Sequence, residues 1–263
     1  MRSCLSAVCR YEFRMQIRKR SLWISTIGLA ALITVAQGDR GPRHLPAGTD
    51  AAVVMGSWAL LFSMLLPIGF GMVLADRLVR DHRIGIASLL AGLPARTGAL
   101  VAGKYAGSVA ATAVPGLLVL CVAAAGEFVH RGDPALFGWA FAAFAVVLLP
   151  GLAFVAAFAL VCPLVISAPL FRVLFAGYWF WGNMLGPDYL PSLTGTLLTP
   201  IGDYPASWLI GERALYAGEP GWLSFLRPEP GGGAALLSVA LLIALAALPL
   251  AFAGPLTARR TSS

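Results

Sequence analysis

Charge is scarce in this chain. Only 12% of its 263 residues are Asp, Glu, Lys or Arg, and 59% are hydrophobic. A soluble domain carries about 25% charged residues. From Pro134 to Phe171 no charge occurs at all. Several uncharged runs reach the ~20 residues that cross a bilayer core, and no segment between them is long enough to bury a core of its own. The whole chain, 1–263, therefore reads as a single membrane domain. It is expected to be all-α, because backbone groups in lipid must bond within their own segment.

Other absences narrow the chemistry. The four cysteines, Cys4, Cys9, Cys121 and Cys162, show no C-x-x-C spacing and read as free thiols. His44, His82 and His130 are scattered, so no metal or catalytic cluster is expected. As drawn from sequence, the spans hold no Asp, Glu or His, and no Lys or Arg. Ion-coupled carriers need such groups at mid-membrane, and intramembrane hydrolases need a nucleophile with its base, or metal ligands. Neither class is expected. Residues 98–105 approach the phosphate loop G-x-x-x-x-G-K-[ST], but Tyr105 stands where the Mg²⁺-binding hydroxyl belongs. A membrane edge with Lys104 snorkelling fits better. No cofactor and no nucleic acid is expected on this chain.

Six spans are expected: Ser21–Gln37, Ala51–Ala75, Tyr105–Gly126, one starting near Leu136, Val173–Gly186, and Gly233–Pro255. The long uncharged run is read as one tilted span followed by a turn at Pro163–Pro169. Net charges of the seven flanking segments run +5, 0, +3, −1, +1, −3, +2. This alternation obeys the positive-inside rule for a cytoplasmic-membrane protein with both termini in the cytoplasm. A seventh span would send Arg259 and Arg260 outside. The positive N-terminal flank is read as uncleaved, since no A-x-A site closely follows the first apolar run.

In residues 1–20, Leu5, Cys9, Phe13 and Ile17 recur at i+4, with Arg10, Arg14 and Arg18 on the neighbouring face. This pattern predicts a helix lying in the headgroup layer, apolar side down. Residues 187–232 are rich in Pro and Gly, and their apolar pieces are too short to span, so an external or re-entrant region is expected before the last span. Among the plentiful aromatics, Trp58, Phe62, Tyr178 and Trp181 are candidates to line a path for an apolar cargo, against the plainer reading of helix packing or headgroup anchoring.

The stretch 76–96, DRLVRDHRIGIASLLAGLPAR, gathers its charge at the start. Asp76/Arg80 and Arg77/Asp81 are spaced i,i+4, which supports a water-facing helix. Ile86, Leu89, Leu90 and Leu93 form one apolar stripe, and Pro94 ends it. This predicts a cytoplasmic helix between the second and third spans, either lying on lipid or docking onto a protein. The order Asp76, Asp81, Gly85, Leu89-Leu90, Pro94, Arg96 and Gly103-Lys104 resembles the permease subunits of the "type 2" ABC drug and polysaccharide exporters. The sequence departs from that pattern at Ile86-Ala87-Ser88, where Thr-Leu-Glu often follows the glycine.

The resemblance implies that two permease subunits pair, as homodimer or heterodimer. It also implies that each seats this coupling helix on one of two copies of a separate ATPase, which would bind the ATP and Mg. Arg80, Asp81 and Arg83 would then make polar contacts, Gly85 would allow close approach, and Leu89, Leu90 and Leu93 would seat the helix, with Asp76, Pro94 and Arg96 also counted in the coupling set. A non-transporting membrane scaffold is the alternative. An ABC importer is disfavoured, because no Glu-Ala-Ala…Gly signature is present.

Overall fold

The computed structural model of the protein describes residues 2–38, 41–83, 97–211 and 223–261. The architecture is all-α, and no strand occurs among the described residues. In chain order the helices are α1 (Arg2–Ile17), α2 (Arg20–Ala36), α3 (Ala51–Leu74), α4 (Arg77–Arg83), α5 (Thr97–Arg131), α6 (Ala135–Ala143), α7 (Leu149–Val161), α8 (Ala168–Asn183), α9 (Asp203–Ile210) and α10 (Gly232–Thr261).

Local chemistry explains the breaks. Asp50 caps α3 by accepting from the Ala52 N–H at 3.1 Å. Between α6 and α7 the helix widens into a π turn over Phe144–Leu148, just before Pro150, which has no N–H to donate. The uncharged run thus continues as one rod, Ala135–Leu164. It ends in a 3-10 turn, Cys162–Leu164, and Pro169 falls in the first turn of α8, where proline is tolerated. The turn expected at Pro163–Pro169 is present. At the corner between α1 and α2 the Trp23 indole donates to the Ile17 carbonyl at 2.8 Å, satisfying one acceptor that the end of α1 leaves free.

Four helices are long and apolar enough to cross a membrane: Ala51–Arg80, Gly98–Arg131, Ala135–Leu164 and Gly232–Gly254. The count becomes five if α1 and α2, bent by 60°, form one span. Six is not reached by length and composition. The reason is geometric: α2 has 17 residues and α8 has 16, or about 26 and 24 Å at 1.5 Å per residue, against a core of about 30 Å. The helix expected as a fifth span over Val173–Gly186 instead starts at Ala168 and ends at Asn183. The third expected span is longer than its apolar run, and α5 carries Lys104 and Glu127 inside it.

The core lies around α3, which packs against α2, the α6–α7 rod, α8 and α9. Its buried face carries Val54, Met55, Trp58, Phe62, Leu66 and Phe70. The outward faces are apolar too: Ile27 and Val35 of α2, Val122 of α5, and Leu236 and Phe252 of α10 are all exposed. Apolar residues on both sides of a helix are the pattern expected of membrane spans, in keeping with the candidate spans counted above.

Two groups of contacts define opposite ends of the bundle. At one end Glu12 meets Arg77, Asp76 meets Arg172, and Ala253 of α10 packs beside Leu78 and Val101. At the other, Arg131 reaches the loop at Pro42–Pro46. The charge alternation had assigned these same residues to opposite faces.

Candidate functional site

The charged end is built on α1. The expected face of Leu5, Cys9, Phe13 and Ile17 is not the one most deeply buried. Leu5 is exposed, whereas Glu12 and Gln16 are each 1% exposed. Helix α1 packs along the first half of α5 because Gly103 and Gly107 leave a groove there. A methyl group on Gly107 would sit 2.6 Å from the Cys9 carbonyl oxygen, and one on Gly103 would sit 2.9 Å from Val8 Cγ1. This is small-xxx-small packing between helices. The glycine and lysine that imitate a phosphate loop therefore lie within a continuous helix, where Gly103 serves close approach. Arg10, Arg14 and Arg18 point outward as expected.

Glu12 is then committed to Arg77, the first residue of α4. Arg77 Nε donates to Glu12 Oε1 at 2.5 Å and Nη2 donates to Oε2 at 3.0 Å. Gln16 Nε2 donates to Oε1 at 2.8 Å. A bidentate, almost fully buried pair with a third donor offsets the desolvation of both charges. The expected i,i+4 partner of Asp76 was Arg80; instead the Asp76 carboxylate is bonded to Arg172 of α8, which also donates to the Met72 carbonyl at 3.3 Å. Arg80 is exposed. Asp81 and Arg83 lie on α4, but their side chains fall outside the described set. Gly85, Leu89, Leu90, Leu93, Pro94 and Arg96 lie outside the described residues altogether.

The opposite end has its own polar knot. Glu127 is 2% exposed. Its Oε2 accepts from Arg131 Nε at 2.8 Å, and its Oε1 accepts from the Trp58 indole at 3.1 Å. The remaining Arg131 donors hold the Pro46 carbonyl at 2.7 Å and the Leu45 carbonyl at 3.0 Å. Trp58 stacks on Phe62, with ring centroids 5.3 Å apart, and Arg43 lies over the Trp58 ring at 5.8 Å.

Of the four candidate cargo-path residues, Trp58 and Phe62 line a cavity of about 390 Å³ between α2, α3 and α5. Its other walls are small or apolar, among them Ala30, Ala31, Pro115 and Ala123, with Arg43 at its edge. Tyr178 and Trp181 do not line it. Tyr178 of α8 packs partly buried against the core, and Trp181 is exposed on the same helix.

The segment after α8 folds back into the bundle. Ser63 of α3 donates to the Ile201 carbonyl at 2.6 Å, and Gly151 of α7 lies directly against the Pro200 carbonyl. Gly202 turns with φ +82°, a left-handed conformation that suits glycine, close against Val147. Helix α9 then packs on α3 at Gly56. Arg227 is buried and ties the segment together, donating to the Ser192 carbonyl at 3.1 Å and the Thr194 carbonyl at 3.2 Å. Burial pushes the Asp203 carboxyl up to about 6, although a backbone hydrogen bond from Gly195 opposes the rise.

Sequence reasoning missed Glu12, Arg77 and Glu127 as buried groups. The available signals were slight: Glu12 is the only acid among six cations in its segment, and Glu127/Arg131 has i,i+4 spacing. No protein-family model matches the chain, and no curated protein matches it.

Proposed function

We propose that this chain is the transmembrane subunit of an ATP-driven ABC exporter, moving an apolar or amphiphilic cargo across the cytoplasmic membrane. ATP hydrolysis would belong to two copies of a separate ATPase, and a second permease subunit would complete the pathway. The reading starts from the polar segment 76–96. The observation that carries it furthest is what that segment is rooted in. Arg77 at its base is locked to Glu12 of α1, and α1 is seated in the glycine groove of α5. A displacement applied to the segment would reach α1, α3 and α5 together, as a coupling element requires. The Asp76–Arg172 bond extends the linkage to α8.

In this reading α2 and α8 also cross the membrane, as short spans, giving six. The Arg77 end faces the cytoplasm, both termini lie there, and the folded-back 192–211 segment enters from outside. The apolar cavity at Trp58 and Phe62 supports an apolar or amphiphilic cargo.

Leu90→Asp is the direct test. It should leave membrane insertion intact, abolish transport, and remove cargo stimulation of ATPase activity in the purified complex. Unchanged transport would refute the docking role. Purification in mild detergent should recover a Walker-containing partner in comparable amount, and its absence would favour a membrane scaffold.

A further inference from the structure

At the Arg77 end, the corner between α1 and α2, the junction of α3 and α4, and the start of α8 surround an open pocket of about 600 Å³. Its rim is strongly cationic. Two of its arginines are already committed, Arg77 to Glu12 and Arg172 to Asp76. Lys19, Arg20 and Arg80 also line it, and among the described residues none of these three is ion-paired to a carboxylate. Burial, and then the nearby Arg77 and Arg80, hold the Lys19 ammonium below the usual lysine range, although Glu12 and Asp76 act in the opposite direction. The pocket therefore keeps an excess of positive charge that its own carboxylates leave unmatched. Helix α2 begins at this rim, and its Lys19 N-cap makes no side-chain cap bond. Its dipole adds to the same potential.

The chemistry of the walls says what kind of anion fits. Met72 and Val73, on a candidate membrane span, supply apolar lining. Ile24, three residues after the lining Ser21 on α2, and Val173 and Leu174, which follow the lining Arg172 on α8, are 69%, 70% and 54% exposed. A ligand lodged here meets cations at its head and apolar side chains along its length. We propose that this pocket binds the phosphate headgroup of an anionic lipid, with the acyl chain lying along Ile24, Val173 and Leu174. The site requires only that the chain sit in a bilayer, so it stands or falls independently of the exporter reading.

Titrating the purified full-length chain in neutral detergent with fluorescent phosphatidylglycerol and phosphatidylcholine tests it. Phosphatidylglycerol should bind at least about tenfold tighter, the scale of a lost charge-assisted hydrogen bond. The double variant Arg20→Gln/Arg80→Gln should remove that preference, and Lys19→Gln should weaken it on its own. Arg10→Gln/Arg14→Gln, on the exposed face of α1, should leave it unchanged. The melting temperature of each variant checks that it folds. Three results would overturn the proposal: equal affinity for the two lipids, an equal loss in the Arg10/Arg14 variant, which would mark diffuse attraction, or displacement of the lipid by inorganic phosphate at matching concentration, which would mark a free-anion site in which the tail has no part.

Discussion

Each end of the bundle buries one glutamate against one arginine, and the two pairs are built differently. At the knot by the 42–46 loop, Glu127 and Arg131 stand four residues apart on one helix. At the lock on α1, Glu12 and Arg77 are 65 residues apart and join two helices. The local pair forms wherever α5 is helical, and its role comes from what else it holds, namely the Trp58 indole and the carbonyls of the 42–46 loop. The long-range pair exists only while α1 stays in its groove on α5. One knot therefore fastens a loop to a helix end, whereas the other reports the position of a whole helix. The proposed coupling role rests on the second.

Substitutions can break that contrast. The largest effect is expected from Glu12→Gln, which strands a buried guanidinium. Removing one partner of such a pair costs about 3–5 kcal/mol, read as a loss of unfolding free energy in detergent. The paired change Glu12→Leu/Arg77→Met should recover most of the loss in stability but not the proposed coupling. Arg131→Gln comes next, at roughly 2–3 kcal/mol for an unmatched buried carboxylate. It should also free the 42–46 loop, seen as faster amide exchange there, while leaving α1 protected. Equal exchange at both ends in both variants would erase the distinction between knot and lock.

Asp203 gives a smaller and opposite effect. Its carboxyl titrates near 6 in the folded chain, above the ordinary Asp value of about 3.9. The folded state therefore holds the proton more tightly than the unfolded one. The resulting stability is fully present below about pH 4 and is lost as pH rises through about 6. Asp203→Asn should raise stability at pH 7.5 by roughly 1–3 kcal/mol and flatten the melting temperature between those values. Asp76→Asn is expected to have the least effect. The Arg172 and Asp76 side chains of this pair are 37% and 54% exposed, and such pairs contribute about 0–1 kcal/mol. A melting-temperature loss as large as that of Glu12→Gln would mean that α8 is held through this bond.

Much of the frame was legible in the amino-acid order. The helices around Ala51, Leu136 and Gly233 follow from long apolar runs, and the break at Pro163–Pro169 follows from proline chemistry. The charge series also placed Glu12, Arg77 and Arg172 in different segments from Arg131 and the 42–46 loop, and these two groups gather at separate ends of the bundle. The count of spans was less legible, because apolar composition does not state helix length, and α2 and α8 stop short. The candidate site was least legible. The i,i+4 rule proposed Arg80 for Asp76, and Arg172 took its place from another helix. The periodicity of residues 1–20 suggested an apolar underside resting on lipid, whereas the face turned inward carries Glu12 and Gln16. That face could be found only by knowing that Gly103 and Gly107 open a groove opposite it.

By itself the sequence determined the all-helical class with its long apolar candidate spans, the placement of charge at the two ends and the position of the main bend, because hydropathy and proline geometry act over neighbouring residues. Only the tertiary structure decided which charges are buried together, which way α1 is turned, and that residues 192–211 fold back into the bundle. Those outcomes depend on groups far apart in the chain meeting at hydrogen-bonding distance, and no local pattern encodes that meeting.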